Sequence, residues 1–113
     1  MPERKRIKLA LATTAAATAP YTCPAEKYAI IENIHVANVD GTNSVDVDVW
    51  ITDAGDGDAQ VYLCKSAPLA AGDAMEIAGP ITLLAGDTIN GLASAASDAV
   101  MLVSLYEEPE VKV

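Results

Sequence analysis

The amino-acid sequence predicts an all-β domain: a single antiparallel β-sandwich, jelly-roll or immunoglobulin-like, with an extended N-terminal arm. Three observations predict it. Apolar residues recur at every second position in several runs, which places them on one face of an extended chain. Turn signals rich in Gly, Asp and Pro fall roughly every 8–12 residues, the spacing of short sandwich strands. No segment carries the apolar period of an amphipathic helix. The 113 residues suit one domain. They divide into a basic arm and linker (1–20), a sandwich (21–106) and a polar tail (107–113).

The arm alternates from Arg6 to Ala12, with Ile7, Leu9 and Leu11 opposite Lys8, Ala10 and Ala12. Thr13 to Pro20 is small and Pro-terminated and reads as a linker. Pro20 to Ala25 is extended, because each proline favours extended geometry at the residue before it. Lys27 to Asn38 is the first long strand, with Tyr28, Ile30, Ile34 and Val36 on the expected apolar face and Glu32 as an irregularity. Asp40-Gly41 makes a turn.

Ser44 to Thr52 alternates most regularly, with Val45, Val47, Val49 and Ile51 against Asp46, Asp48, Trp50 and Thr52. Asp53 to Asp58 connects it to a return strand, Gln60 to Ser66, forming a hairpin. An internal echo follows: Leu69 to Ile77 resembles Leu83 to Gly91, each with an Ala-Gly-Asp turn. Glycine supplies the permissive backbone and aspartate caps the turn. Leu92 to Ala96 reads as a loop. The last strand, Ala99 to Tyr106, is apolar on both faces and should be central or covered.

Charge sets the first limits on function. The net charge is −9, yet Arg4, Lys5, Arg6 and Lys8 all lie in the first eight residues. Of sixteen acidic residues only Glu3 precedes them. An anionic body repels phosphate backbones, so nucleic-acid binding by the domain is not expected. No apolar run approaches the roughly 20 residues that span a bilayer, so no membrane partner is expected. The N-terminus imitates a secretory signal, but Thr13, Thr14 and Thr18 interrupt its apolar run, and a cleaved signal is not expected.

Residue chemistry offers little for catalysis. His35 is the single histidine and lacks a nucleophile motif around it. Asp53, Asp56 and Asp58 resemble a hard-cation loop but lack the EF-hand alternation and its terminal glutamate. Asp46 and Asp48 share one strand face, which keeps that face wet; glycosidase carboxylates instead face each other across a cleft. Cys23 and Cys64 form no C-x-x-C pair; buried thiols are the default, and a disulfide, within or between chains, stays open because spacing does not decide it. No enzyme activity, cofactor or metal is expected. Trp50 and Tyr62 fall on the outward register of adjacent strands, either as an interface anchor or as a cover for the core.

The chain resembles a family of small virion structural proteins from tailed bacteriophages. The resemblance rests on Tyr21-Thr22-Cys23-Pro24-Ala25 and on Ile34-His35-Val36-Ala37-Asn38 before Asp40-Gly41. It continues through Pro68 with Ala71-Gly72-Asp73, Leu84-Ala85-Gly86-Asp87 and Ala93-Ser94-Ala95, and covers roughly Tyr21 to Glu107. It implies a β-sandwich subunit that assembles on the particle, as a capsid decoration protein or a neck or tail component. Cys23 departs from it, since similar proteins usually carry Val before that proline. The basic first strand is also less typical.

These readings combine into one expectation. The protein is a homo-oligomeric virion subunit whose partners are the major capsid protein or neck and tail subunits. Its arm, through Arg4, Arg6, Ile7, Leu9 and Leu11, lies on a neighbouring subunit by strand addition. On that expectation, deleting residues 1–14 leaves a folded monomer that fails to assemble. A receptor- or carbohydrate-binding sandwich, using Trp50, Tyr62 and the Asp53–Asp58 loop, is the alternative from another class.

Overall fold

A computed structural model describes residues 3–14, Thr18 and 20–110. The predicted linker is described only at Thr13, Thr14, Thr18 and Pro20; residues 15–17 and 19, like 111–113 of the predicted tail, lie outside the described residues. Eight strands are described: β1 (Glu3–Ala10), β2 (Tyr21–Thr22), β3 (Lys27–Asn38), β4 (Val45–Asp53), β5 (Ala59–Leu69), β6 (Ala74–Leu83), β7 (Thr88–Ala93) and β8 (Ala99–Pro109). They form two four-stranded sheets, ordered β1-β8-β3-β6 and β2-β7-β4-β5.

Strand β1 pairs with β8, β2 with β7, β3 with β6 and β4 with β5, all antiparallel. The chain is thus one long hairpin of four strand pairs rolled across two layers. That is the jelly-roll arrangement, and it replaces the immunoglobulin-like alternative, whose strands divide differently between the sheets.

The core is aliphatic and lies between the layers. From the first sheet come Leu9, Ala29, Ile31, Ile34, Val36, Met101, Val103 and Leu105; the second contributes Val45, Val47, Val49, Leu69 and Ile89. The regular strand at Val45 keeps its expected phase, with all three valines buried. Strand β8 is central between β1 and β3, which accounts for its apolar residues on both faces.

Four expectations are corrected. First, β1 is not an arm reaching outward: it pairs with β8 from Glu3 to Ala10 within its own sheet. Leu9 and Leu11 are buried in their own core and Ile7 packs against it. The same alternation that suggested strand addition supplies the inner face of the chain's own edge strand. Second, β3 does not keep one phase. A bulge between Ile31 and Asn33 turns Ala29 and Ile31 inward before it and Ile34 and Val36 inward after it. The extra residue, Glu32, switches the side-chain parity. Third, β7 extends through Leu92 and Ala93, where a loop is expected from the sequence. Fourth, β8 continues through Pro109, and Glu107 is a buried strand residue rather than part of a polar tail.

The internal echo is structurally real. Asp73 N–H donates to Ala70 O and Asp87 N–H to Leu84 O, each closing a four-residue turn. Gly72 (φ +72°) and Gly86 (φ +87°) occupy the left-handed position that a type II turn requires. Asp87 then ties two turns together, accepting from Leu84 N and from Ala54 N in the β4–β5 connection.

Gly79, joined to Pro80 by a cis peptide bond, lies against the β3 bulge. A Cβ there would sit 2.1 Å from Ile31 O and 2.9 Å from Glu32 O, both backbone atoms. Gly79→Ala is therefore expected to cost about 2–3 kcal/mol by forcing β6 away from β3. Thermal unfolding checks this: a fall in Tm of about 10 °C is expected, and an unchanged Tm would show that the bulge yields freely.

Candidate subunit interface

The outward face of the first sheet is ordered in rows by its strand register. At one end Ala10, Val100, Ala37 and Ala74 lie side by side across all four strands. The next row is Lys8, Leu102, His35 and Glu76, followed by Arg6, Ser104, Asn33 and Ala78, and then by Arg4, Tyr106, Ile30 and Thr82. Small side chains make the first row flat and wholly apolar. Val39, 61% exposed, lies just beyond Asn38 at the same end. Flat apolar surface beside polar surface is the composition of an interface centre and rim.

Along β1 the outward residues Arg4, Arg6 and Lys8 form a basic strip at the sheet's open edge. Arg4 pairs with Glu32 at 2.8 Å and lies 6.0 Å from the centre of the Tyr106 ring. Among the described residues Arg6 and Lys8 have no ion-pair partner. Arg4, Arg6, Glu32 and Ser104 line a shallow depression of about 300 Å³ beside this edge. His35 Nδ1 lies 3.2 Å from Glu76 Oε1 on the same face.

The predicted arm site is therefore split by the pleat. Arg4 and Arg6 are exposed, Arg4 paired with Glu32, whereas Leu9 and Leu11 are buried and Ile7 is half-buried in the chain's own sandwich.

Trp50 and Tyr62 are directly opposed across β4 and β5, with ring centres 5.6 Å apart. Trp50 points away from the core, yet it is only 4% exposed. Tyr62 packs beside it, and Lys65 Nζ lies 4.9 Å from the centre of the Tyr62 ring. Trp50 is thus corrected from a surface anchor to a covered one; Tyr62 alone of the pair remains exposed. The Asp53 carboxylate is occupied in its own turn, accepting from Gly55 N at 3.0 Å.

Both cysteines are free thiols. Cys23 follows β2 and Cys64 lies on β5, the two opposite edges of the second sheet. Three strand spacings of about 4.8 Å separate such edges by roughly 14 Å, beyond the roughly 7 Å Cα separation that a disulfide spans. An intrachain Cys23–Cys64 bond is excluded by this topology. Burial pushes both thiols up, with the Glu107 and Asp87 carboxylates adding to the effect at Cys23.

The strongest electrostatic feature was not legible as such in the sequence. The Glu107 side chain is fully buried at the β1–β8 end of the sandwich. Tyr21 OH donates a hydrogen bond to its Oε2. Its Oε1 lies 3.1 Å from Lys5 Nζ and 3.5 Å from Lys27 Nζ. Neither approach makes a well-directed hydrogen bond, so charge holds that oxygen. Burial alone would push the carboxyl up; the Tyr21 hydroxyl and the two ammonium groups outweigh it and hold it below its usual range. In turn the Glu107 carboxylate lifts Lys5 against the opposing effect of burial. Burial first, and then Glu107, lifts Tyr21 far above the ordinary phenol range. The signal available in sequence was parity: Met101, Val103 and Leu105 point inward, and 107 is the next such position.

No protein-family model matches the chain, and no curated protein matches it in sequence. Solved structures match its fold. The Drosophila NLP core, described for pentamer formation and histone binding, aligns with a TM-score of 0.63 at 15% identity, over 97% of this chain and 100% of that one. A protein of the disulfide-linked pili that are Bacillus endospore appendages aligns with a TM-score of 0.57 at 18% identity, over 98% of this chain and 88% of that one. A protein of the T13 IBDV viral particle aligns with a TM-score of 0.53 at 10% identity, over 94% of this chain but only 30% of that one. At such identities the likeness is one of fold. The chain is a β-sandwich of a kind that recurs in a pentamer-forming core, a pilus and a viral particle.

Proposed function

We propose that the protein is a non-enzymatic structural subunit of a tailed-bacteriophage virion, a decoration or head-associated protein that sits on the capsid and contacts like subunits. The observation that carries the reading is the outward face of the first sheet: a flat apolar row of Ala10, Val100, Ala37 and Ala74, running into rows that begin with an exposed cation. Such a face fits broad contact with another protein surface better than capture of a small molecule, which favours a concave site. The similarity in fold to subunits of a viral particle and a pentamer supports the same reading, as does the sequence resemblance to phage virion proteins. Assembly would then take place in the host bacterial cytoplasm.

Particles separated into heads and tails test this directly. The protein is expected in the head fraction, at a fixed ratio to the major capsid protein. Recovery only with tails would move it to the neck or tail and overturn the decoration role. Absence from purified particles would overturn the virion reading altogether.

A further inference from the structure

We infer that copies of this chain join head to tail, the basic β1 edge of one copy seating against the acidic β5–β6 flank of the next. The inference rests on the reading of the protein as a homo-oligomer and specifies which surfaces meet.

The two flanks are set by the roll. Just past β1, Ala12 O accepts from Ala93 N on β7, and Leu11 lies against Gly91. Tyr21 on β2 reaches Glu107 on β8, the neighbour of β1. Strands β1 and β2 therefore share one side of the sandwich. On the other side β5 and β6 are consecutive strands joined by the Ala70–Asp73 turn, and each is the far edge of its sheet.

Charge separates along the same axis. On the β1 side exposed Arg4, Arg6 and Lys8 outnumber the strand's one exposed acid, Glu3, which lies near Lys5 and Lys27; Arg4 is paired with Glu32, and Arg6 and Lys8 have no ion-pair partner among the described residues. The opposite flank carries exposed Glu76 on β6, Asp73 in the turn before it, and Asp56 and Asp58 in the connection leading into β5. Its one basic residue, Lys65, is placed over the Tyr62 ring.

A chain of net charge −9 repels its copies wherever acidic faces meet. A two-fold contact of β1 against β1 would oppose like cations instead. Of the contacts these two flanks can make, the heterologous one, one flank against the other, best opposes cations to acids, and such a contact propagates into a ring or a filament. Pro68 and Pro80 remove backbone donors from β5 and β6, so the contact is made by charged side chains rather than by a continuous ladder. It should therefore weaken with salt.

Sedimentation velocity of the full chain tests the inference, using R6E/K8E, D73K/E76K and their equimolar mixture. All four positions are exposed, and thermal melts confirm folding. Each variant alone is expected to lose self-association by about tenfold or more in Kd. The mixture is expected to recover it, because reversed β1 then meets reversed flank and native β1 meets native flank. If R6E/K8E alone loses association and D73K/E76K does not, a two-fold β1 contact replaces the head-to-tail one. If both variants associate like the wild type, the inference falls while the homo-oligomer reading stands. If the wild type is monomeric at every concentration and salt, the homo-oligomer reading itself falls.

Discussion

Deletion of residues 1–14 is expected to unfold the domain, not to release a folded body. Strand β1 forms the outer member of the first sheet along its whole length against β8. It contributes Leu9 to the core, with Ile7 packed against it, and the deleted segment also removes Leu11, buried just past the strand's end. Each buried aliphatic side chain contributes about 1.5–3 kcal/mol, so the three together contribute roughly 5–8 kcal/mol. A domain of this size has a total stability of only about 5–15 kcal/mol. Removal would also strip β8 of one pairing partner and open the core beside Met101 and Val103. The graded version is Leu11→Ala, expected to cost about 3 kcal/mol because Leu11 is fully buried. Urea unfolding followed by circular dichroism reads both. A truncated chain that keeps the wild-type midpoint would return β1 to the role of a detachable arm.

Glu107→Ala is expected to cost about 3 kcal/mol, at the lower end for a broken buried pair because Lys5 and Lys27 retain access to water. The substitution leaves the Tyr21 hydroxyl without its acceptor and two ammonium groups without their counter-charge. Glu107→Gln should cost less, since its amide oxygen can still accept from Tyr21. The cluster also fixes a pH dependence. Because the folded carboxyl titrates below its usual range, its stabilisation is present above the unfolded value of about 4.3 and is lost as pH falls through the lower folded one. Lys5 and Tyr21 are shifted upward, so their contributions hold below unfolded values of about 10 and are lost as pH rises beyond them. Stability is thus expected to be highest between these limits. In Glu107→Gln the acid limb should flatten. An acid limb of unchanged steepness in that variant would remove Glu107 from the account.

Much of this fold was legible because period-two alternation survives wherever one face of a strand is buried and the other is wet. Val45 to Ile51 shows this most directly, and the two Ala-Gly-Asp turns announced themselves through residues that only such turns favour. What escaped reading has specific causes. In β3 a single extra residue, Glu32, reverses the parity, so Tyr28 and Ile30 face outward while Ile34 and Val36 face inward. Nothing in the composition of Ile30-Ile31-Glu32 marks which isoleucine turns in. For β1, alternation correctly gave an apolar face but not what that face packs against, since own core and partner sheet demand the same pattern. Glu107 was hidden by its chemistry: a glutamate followed by Glu108 reads as solvated until Tyr21, Lys5 and Lys27 are brought around it. The candidate interface was the least legible part. Ala10, Ala37, Ala74 and Val100 are far apart in sequence, and only the strand register aligns them.

Hydrogen–deuterium exchange on the protein, alone and in its assembled particle, tests most directly whether the first sheet is the assembly surface. Open edge strands exchange quickly unless something covers them. On assembly, peptides from β1 and β6 are expected to slow by about tenfold or more, while β7, interior to the second sheet, is expected to change less. Equal exchange of β1 and β6 in the free and assembled states would contradict the account.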